Sequence, residues 1–350
     1  MDLKSVLFIR RDNIGDLVCT TPAIRALRIK YPRAHIGVLV NSYNAGVLEG
    51  NPDVDEVFVY EKGKHSGKGR LSLAFDNIAL MRKIRQRRFE VAIGCSYSYQ
   101  KRLARYTFFT GAPKRIGFGP QGSGLPWLSY NCNVAELKVP IHEVEAMMAL
   151  LEPLGVAGPP FPLFMRPNPV EVERIRRLIG IKETGGARGP IIFHISSRRP
   201  KNRWPKESFK ALGERIGAEL GLQIVLLWSP GSASNPLHPG DDEDAAWVAS
   251  SIAPVPFAYR TTNLGELTAA MSLASLVVCL DGGAMHIAAA LGKPVMTIWG
   301  STEQKRWHPW GVPSVVLQKP DKLASSVTVE EAYEAFKGFF SRIKDGAGNP

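Results

Sequence analysis

Short apolar runs alternate with segments of helical period along nearly all 350 residues, and the alternation runs through twice. In the first block, 5–10, 35–40, 55–60, 90–95 and 115–118 read as strands, and 17–30, 44–49, 76–88, 98–110 and 141–154 read as helices. The second block repeats the rhythm, with strands at 190–195, 223–228, 276–280, 295–299 and 314–318 and helices at 169–179, 206–220, 241–251, 264–273 and 283–291. Strands joined through helices are parallel, and the crossover helices then cover both faces of the sheet. The pattern predicts an α/β chain of two doubly wound domains, with a cleft between the C-terminal ends of their strands. The Pro- and Gly-rich stretch 155–169 (GVAGPPFPLFMRPNP) separates the blocks and predicts domains at 1–160 and 161–325. A C-terminal segment, 326–350, carries one more helical run over 328–343, which opens on a Thr N-cap and early glutamates. The Gly- and Lys-rich stretch 62–69 is expected to be a mobile loop, and 346–350 a frayed end.

The formal net charge of +12 and a pI near 9.6 point to an anionic partner. Cys19, Cys95, Cys132 and Cys279 stand far apart with no C-x-x-C pair, which fits reduced thiols in a cytoplasmic protein. The N-terminus enters a strand at once without a signal-peptide core. No apolar run reaches the roughly 18 residues of a membrane span, so any membrane contact is expected to be peripheral.

Two strand-to-helix junctions carry chemistry. After the run Leu276–Leu280 comes Asp281-Gly282-Gly283-Ala284-Met285-His286, leading into a helix stopped by Gly292 and Pro294. Such a turn offers unpaired backbone N–H groups to a phosphate, and Gly282 and Gly283 let a ligand approach the main chain. After the first strand, Arg11-Asp12-Asn13-Ile14-Gly15-Asp16 forms a polar loop before a helix starting at Leu17. Asp16 there has two readings, a general base or merely the N-cap of the helix, and Gly15 is expected to supply a tight turn. The segment His194–Pro205 places Ser196, Ser197 and several cations after the first strand of the second block, suited to a diphosphate or to a solvated basic loop.

Taken together, R-x-D-N-I-G-D-x-V-x-T-T-P-A-I-R-x-L near the N-terminus and D-G-G-A-M-H-I-A-A-A-L-G-K-P…W-G-S-T near the C-terminus resemble glycosyltransferase family 9, the heptosyltransferases. The resemblance runs from the first strand to about Gly311. It implies a GT-B fold and inverting transfer of heptose from ADP-heptose to a lipopolysaccharide inner-core acceptor, with Asp16 as general base. It further implies a donor site of Ser196, Ser197, Lys201, Asp281, Gly282, Gly283 and His286, with Asp12, Asn13 and Gly15 touching the acceptor or ordering the loop. In that family a C-terminal helix often packs back across the first domain. One departure stands out: the family usually has Lys two residues before Trp-Pro, where this chain has Asn202, leaving the diphosphate to Lys201 or Arg203, with Lys201 favoured. The family's acid for the nucleoside is also missing after the next strand, with Glu243 a distant candidate.

No cofactor or metal is expected. Asp53-Val54-Asp55 resembles a metal-binding D-x-D but reads better as a solvated turn, and Asp241–Asp244 as a helix start. The cations Lys62, Lys64, Lys68, Arg70, Arg82, Lys83, Arg85, Arg87, Arg88, Lys101, Arg102 and Arg105 form either a solvated face or a site for an anionic glycolipid acceptor, with peripheral contact at the inner membrane. Nucleic acid is not expected, because no recognition module is present. Two alternatives stay open: a GT-B enzyme using another nucleotide sugar or anionic glycan, and a non-catalytic nucleotide-sugar-binding protein.

Overall fold

The computed structural model describes residues 3–61, 70–119, 130–181, 189–235, 240–253 and 255–344. The stretches 62–69 and 346–350 lie outside them. The chain divides into two compact units, Met1–Met165 and Arg166–Pro350.

The first unit holds strands β1 (Ser5–Ile9), β2 (His35–Asn41), β3 (Glu56–Tyr60), β4 (Val91–Gly94), β5 (Lys114–Phe118) and β6 (Cys132–Val134). They form one sheet in the order β3-β2-β1-β4-β5-β6, and every pairing is parallel. The second unit holds β7 (Ile191–His194), β8 (Ile224–Leu227), β9 (Phe257–Ala258), β10 (Leu276–Leu280), β11 (Val295–Trp299) and β12 (Ser314–Gln318). Its order, β12-β11-β10-β7-β8-β9, is the same topology met again, also all parallel. Each unit is thus a Rossmann-like doubly wound domain. The strands β6 and β9 were not anticipated. They have three and two residues at sheet edges, too short to show a period.

Helical faces fill the cores as their spacing requires. In Val329–Lys344, residues Ala332, Tyr333, Phe336, Phe339 and Phe340 lie on one stripe and are buried. They pack into the core of the second unit with Phe209, Leu212 and Ile216 from Lys206–Leu220. Each buried phenylalanine contributes about 1.5–3 kcal/mol relative to exposure. Arg215 lies 3.7 Å over the Tyr333 ring, and the Tyr333 hydroxyl donates to Glu219 Oε2 at 2.5 Å. The helix therefore belongs structurally to the second unit.

In both sheets the strand order reverses at one place, between β1 and β4 and between β7 and β10. Loops leaving the C-terminal ends of those strands diverge and open a crevice, the usual ligand position in such sheets. Both sequence motifs leave from these switch points.

Candidate active site

At the first switch point the helix begins earlier than expected. Ile14–Val18 is helical, Asn13 is its N-cap, and Asp16 is the third helical residue. The Asp16 Oδ2 accepts from the Asn13 N–H at 3.0 Å, closing a capping box. Asp16 is therefore not the N-cap, and Gly15 is buried inside the helix with no left-handed φ, so it supplies no tight turn. A second helix, Thr21–Lys30, follows after a break. The break comes from Pro22, which has no N–H to give to the Val18 carbonyl. The Thr21 hydroxyl donates to that carbonyl instead at 2.7 Å, and the Thr20 hydroxyl donates to Asp16 O at 2.9 Å.

Arg10, the residue after β1, is 1 % exposed. Its Nη2 donates to two carboxylates, Asp16 Oδ1 at 2.9 Å and Glu143 Oε1 at 2.6 Å. Its Nη1 donates to the Cys95 carbonyl at 3.0 Å, which ties the ends of β1 and β4 together across the switch point. Asp12 Oδ2 lies 3.5 Å from Nε, within ion-pair range. Burial alone would raise the Asp16 carboxyl, but the Arg10 charge and the Asn13 hydrogen bonds outweigh it and hold Asp16 below the ordinary carboxylate range. Asp16 is thus ionised at neutral pH, with 16 % of its side chain exposed. Arg10 stands in the N-terminal motif with no role readable from the sequence, and Glu143 went unrecognised there. A lone Glu opening a helix reads as a dipole partner, and nothing local marks it as buried.

Beside this cluster, Arg11, Asp12, Tyr60, Gln100, Arg102 and Leu103 line a cavity of about 250 Å³. The Arg11 guanidinium lies 3.8 Å from the Tyr106 ring centroid and 5.1 Å from that of Tyr60. Its Nε donates to the Tyr60 hydroxyl at 3.2 Å. Such stacking holds a guanidinium in place while leaving its charge intact. Asn13 is exposed at the same junction.

Four basic residues of the first unit divide between the two ends of its sheet. Lys83 and Arg87 pair with Glu56, the first residue of β3, at 3.2 and 2.9 Å. In a parallel sheet that is the end away from Asp16. Lys101 and Arg102 open the helix Lys101–Phe109, which follows β4 from its C-terminal end. The D-x-D pair lies in a turn as expected, but only Asp55 of the two is solvated. Asp53 is buried and paired with Arg25 at 2.8 Å, and Asp55 takes the Ile36 N–H at 2.7 Å and Arg28 at 2.6 Å.

At the second switch point, Gly282 is the N-cap of the helix Gly283–Ala290, and a Cβ built there meets nothing within 4 Å. The turn is open above the main chain. His286, one turn into that helix, is buried with its ring edge-on to Trp307 at 5.8 Å.

Asp281 belongs to a closed ring of neutral groups. Asn202 Nδ2 donates to Asp281 Oδ2 at 2.7 Å and to Thr302 Oγ1 at 3.0 Å, while the Thr302 hydroxyl donates to the same Asp281 oxygen. Asn202 Oδ1 accepts from the Ser301 N–H at 2.8 Å. An amide can donate and accept at once, whereas a lysine ammonium has no acceptor. That is the physical sense of Asn202 where the family usually has Lys. Burial raises the Asp281 carboxyl, against the Thr302 hydrogen bond and the more distant Arg199 and Arg198 charges.

Ser197 Oγ donates to Asp281 O at 3.3 Å, and Ser196 Oγ accepts from the Ser229 N–H at 2.8 Å. Both serines tie neighbouring loops together. Lys201 is exposed, and its carbonyl lies where a Cβ on Gly300 would stand 1.9 Å away, so the two loops meet there only because residue 300 is glycine. Arg203 pairs with buried Asp241 at 2.6 Å. Arg199 reaches Thr302 Oγ1 at 3.4 Å and, with Arg198, bears electrostatically on the Asp281 carboxyl. Glu243 accepts from Ser232 Oγ at 2.7 Å and closes its own loop.

Residues 77–334 match the model of glycosyltransferase family 9 (heptosyltransferase). The chain is 23 % identical to lipopolysaccharide heptosyltransferase 3 of Escherichia coli, an alignment covering 85 % of this chain and 83 % of that one. Among solved structures, the glycosyl transferase family 9 protein of Veillonella parvula superposes with a TM-score of 0.82 at 22 % identity, covering 98 % of this chain and 99 % of the other. E. coli heptosyltransferase WaaC with ADP-2-deoxy-2-fluoro heptose superposes with a TM-score of 0.74 at 19 % identity, covering 95 % and 99 %. Two Rossmann-like units of this kind constitute the GT-B fold expected from the sequence.

Proposed function

Because the chain belongs to glycosyltransferase family 9, the heptosyltransferases, we propose that it transfers heptose from ADP-heptose to an inner-core lipopolysaccharide acceptor, with inversion. Asp16 is the base. It takes the proton as the acceptor O–H bond breaks and the oxygen bonds to the anomeric carbon. The bond from that carbon to the diphosphate breaks, and its electron pair leaves on the diphosphate. The observation that carries this reading is the state of Asp16: ionised, partly exposed, and fixed at a switch point by Arg10 and Asn13.

The donor belongs with the second unit. The amides at 282–284 and His286 hold the diphosphate, and Arg199 is the cation assigned to it in preference to Lys201. Together they stabilise the charge on the leaving group without a metal. The two serines and Asp281 shape the turn around it. The acceptor belongs with the first unit, where Arg11 and Arg102 suit a carboxylated or phosphorylated sugar. Among the described residues no helix is long and apolar enough to cross a membrane, and a lipid-linked acceptor would be met from the cytoplasmic surface of the inner membrane. The relatives named above support the donor and acceptor classes.

Asp16→Asn tests the reading directly. Turnover should fall about 100-fold or more, the usual loss for a general base, while ADP still raises the melting temperature. Turnover within a few-fold of the parent enzyme would end the assignment.

A further inference from the structure

A base beside a buried guanidinium faces a conflict. The positive charge keeps Asp16 ionised and ready, yet it also weakens its pull on a proton. The geometry around Arg10 resolves it through a second carboxylate. Glu143 opens the helix Glu143–Ala149 and is fully buried, and its Oε1 takes the same Arg10 Nη2 that serves Asp16, at 2.6 against 2.9 Å. An anion with no access to water is there for the cation it meets, since burying it alone would be costly.

Other groups lie around Arg10 and Asp16. Asp12 stands 3.5 Å from Arg10 Nε. Burial pushes the Cys95 thiol up to about 12, so at neutral pH it adds no charge. Met147 Sδ accepts from Arg10 Nη1 at 3.3 Å and is uncharged. The Asn13 N–H donates to Asp16 Oδ2 at 3.0 Å.

We propose that Glu143 is a positioning residue for the reaction: it anchors the shared nitrogen of Arg10 and absorbs part of its charge, so that Asp16 stays ionised yet remains a competent base. The inference rests on Asp16 being that base. The residue never touches substrate and acts through Arg10.

Two variants give opposite signs. Glu143→Gln keeps the shape and the accepting oxygen but removes the charge, so Arg10 bears more fully on Asp16. The acid limb of kcat/KM should move to lower pH, and kcat should fall about 3- to 10-fold, as for a base weakened rather than removed. Acceptor KM and ADP affinity should hold. Arg10→Gln combined with Glu143→Gln removes both buried charges, which folding tolerates better than removing one. Asp16 then answers to burial against the Asn13 hydrogen bonds only, and the acid limb should move to higher pH. The double variant shows that Arg10 sets the limb, whereas a purely structural Glu143 would leave the limb of Glu143→Gln where the parent enzyme has it; an unmoved limb there, or one moved to higher pH, overturns the inference. If Glu143→Gln does not fold, Glu143→Asp takes its place: the shorter side chain draws the carboxylate back from Arg10, the limb should again move to lower pH, and an unmoved limb overturns the inference. Asp16→Asn, measured beside them, separates the failures. Retained turnover there removes the base and this inference with it, whereas lost turnover with unmoved limbs removes the inference only.

Discussion

One topology is built twice in this chain, and the two copies treat a carboxylate at the switch point, after the first strand in one unit and the fourth in the other, in opposite ways. At the β1/β4 switch point Asp16 faces a buried cation and is held charged. At the β7/β10 switch point Asp281 faces an amide and a hydroxyl, and burial pushes it toward the neutral form. The strand order supplies the crevice in both cases, but the chemistry comes from what crosses the switch point to meet the acid. In the first unit a guanidinium prepares a proton acceptor. In the second a neutral ring braces the turn that carries the open Gly282 amides.

The contrast should appear first in stability. Arg10→Gln leaves Glu143 and Asp16 without their cation and should cost about 3–5 kcal/mol, as for one member of a buried ion pair. Asn202→Ala breaks neutral hydrogen bonds and should cost about 1–3 kcal/mol. Urea unfolding of both variants measures the gap. Equal losses would mean that the two sites do not differ in kind.

Binding should divide along the same line with smaller effects. Removing one charged or donor group typically costs about 1.5–3 kcal/mol, or roughly tenfold and upward in affinity. His286→Ala should weaken the ADP-induced rise in melting temperature and leave acceptor KM alone. Arg102→Glu should raise acceptor KM, more so at low salt, and spare ADP binding. Arg87→Glu, at the far end of the sheet, should do neither. A loss of ADP binding in Arg102→Glu would merge the two sites.

The smallest effect is one of sign. Asp16 ionises at lower pH folded than unfolded, so its contribution is present above the unfolded value and lost as pH falls through the folded one. Asp281 ionises at higher pH folded than unfolded, so its contribution is present below the unfolded value and lost as pH rises through the folded one. Unfolding Asp16→Asn and Asp281→Asn against the parent from about pH 3 to pH 7 should give differences of opposite slope. Matching slopes would contradict the assigned environments.

Much was legible along the chain because the signals are local. Periodicity marked ten of the strands, since a run of four or five apolar residues between turns needs no partner to be seen. The helices expected at 169–179 and 206–220 match to the residue, and in the structure Asn168 caps one start while Gly180 and Gly221 take the left-handed φ that ends them. Helix starts inside motifs were less legible: Asn13 and Asp16 form a capping box, yet the polar string 11–16 reads equally well as a loop.

By itself, then, the sequence determined two parallel α/β units, the loops that carry polar chemistry, and the family those loops resemble. The tertiary structure decided which groups confront one another. Arg10 meets Glu143 across 133 positions, and Asn202 meets Asp281 across 79. It also sent Lys83 and Arg87 to one end of the first sheet and Lys101 and Arg102 to the other. The physical reason is one of range. Period and turn chemistry act over a few residues, whereas the charge state of an acid depends on burial and on the nearest opposite charge, and the chain brings those together only when it folds.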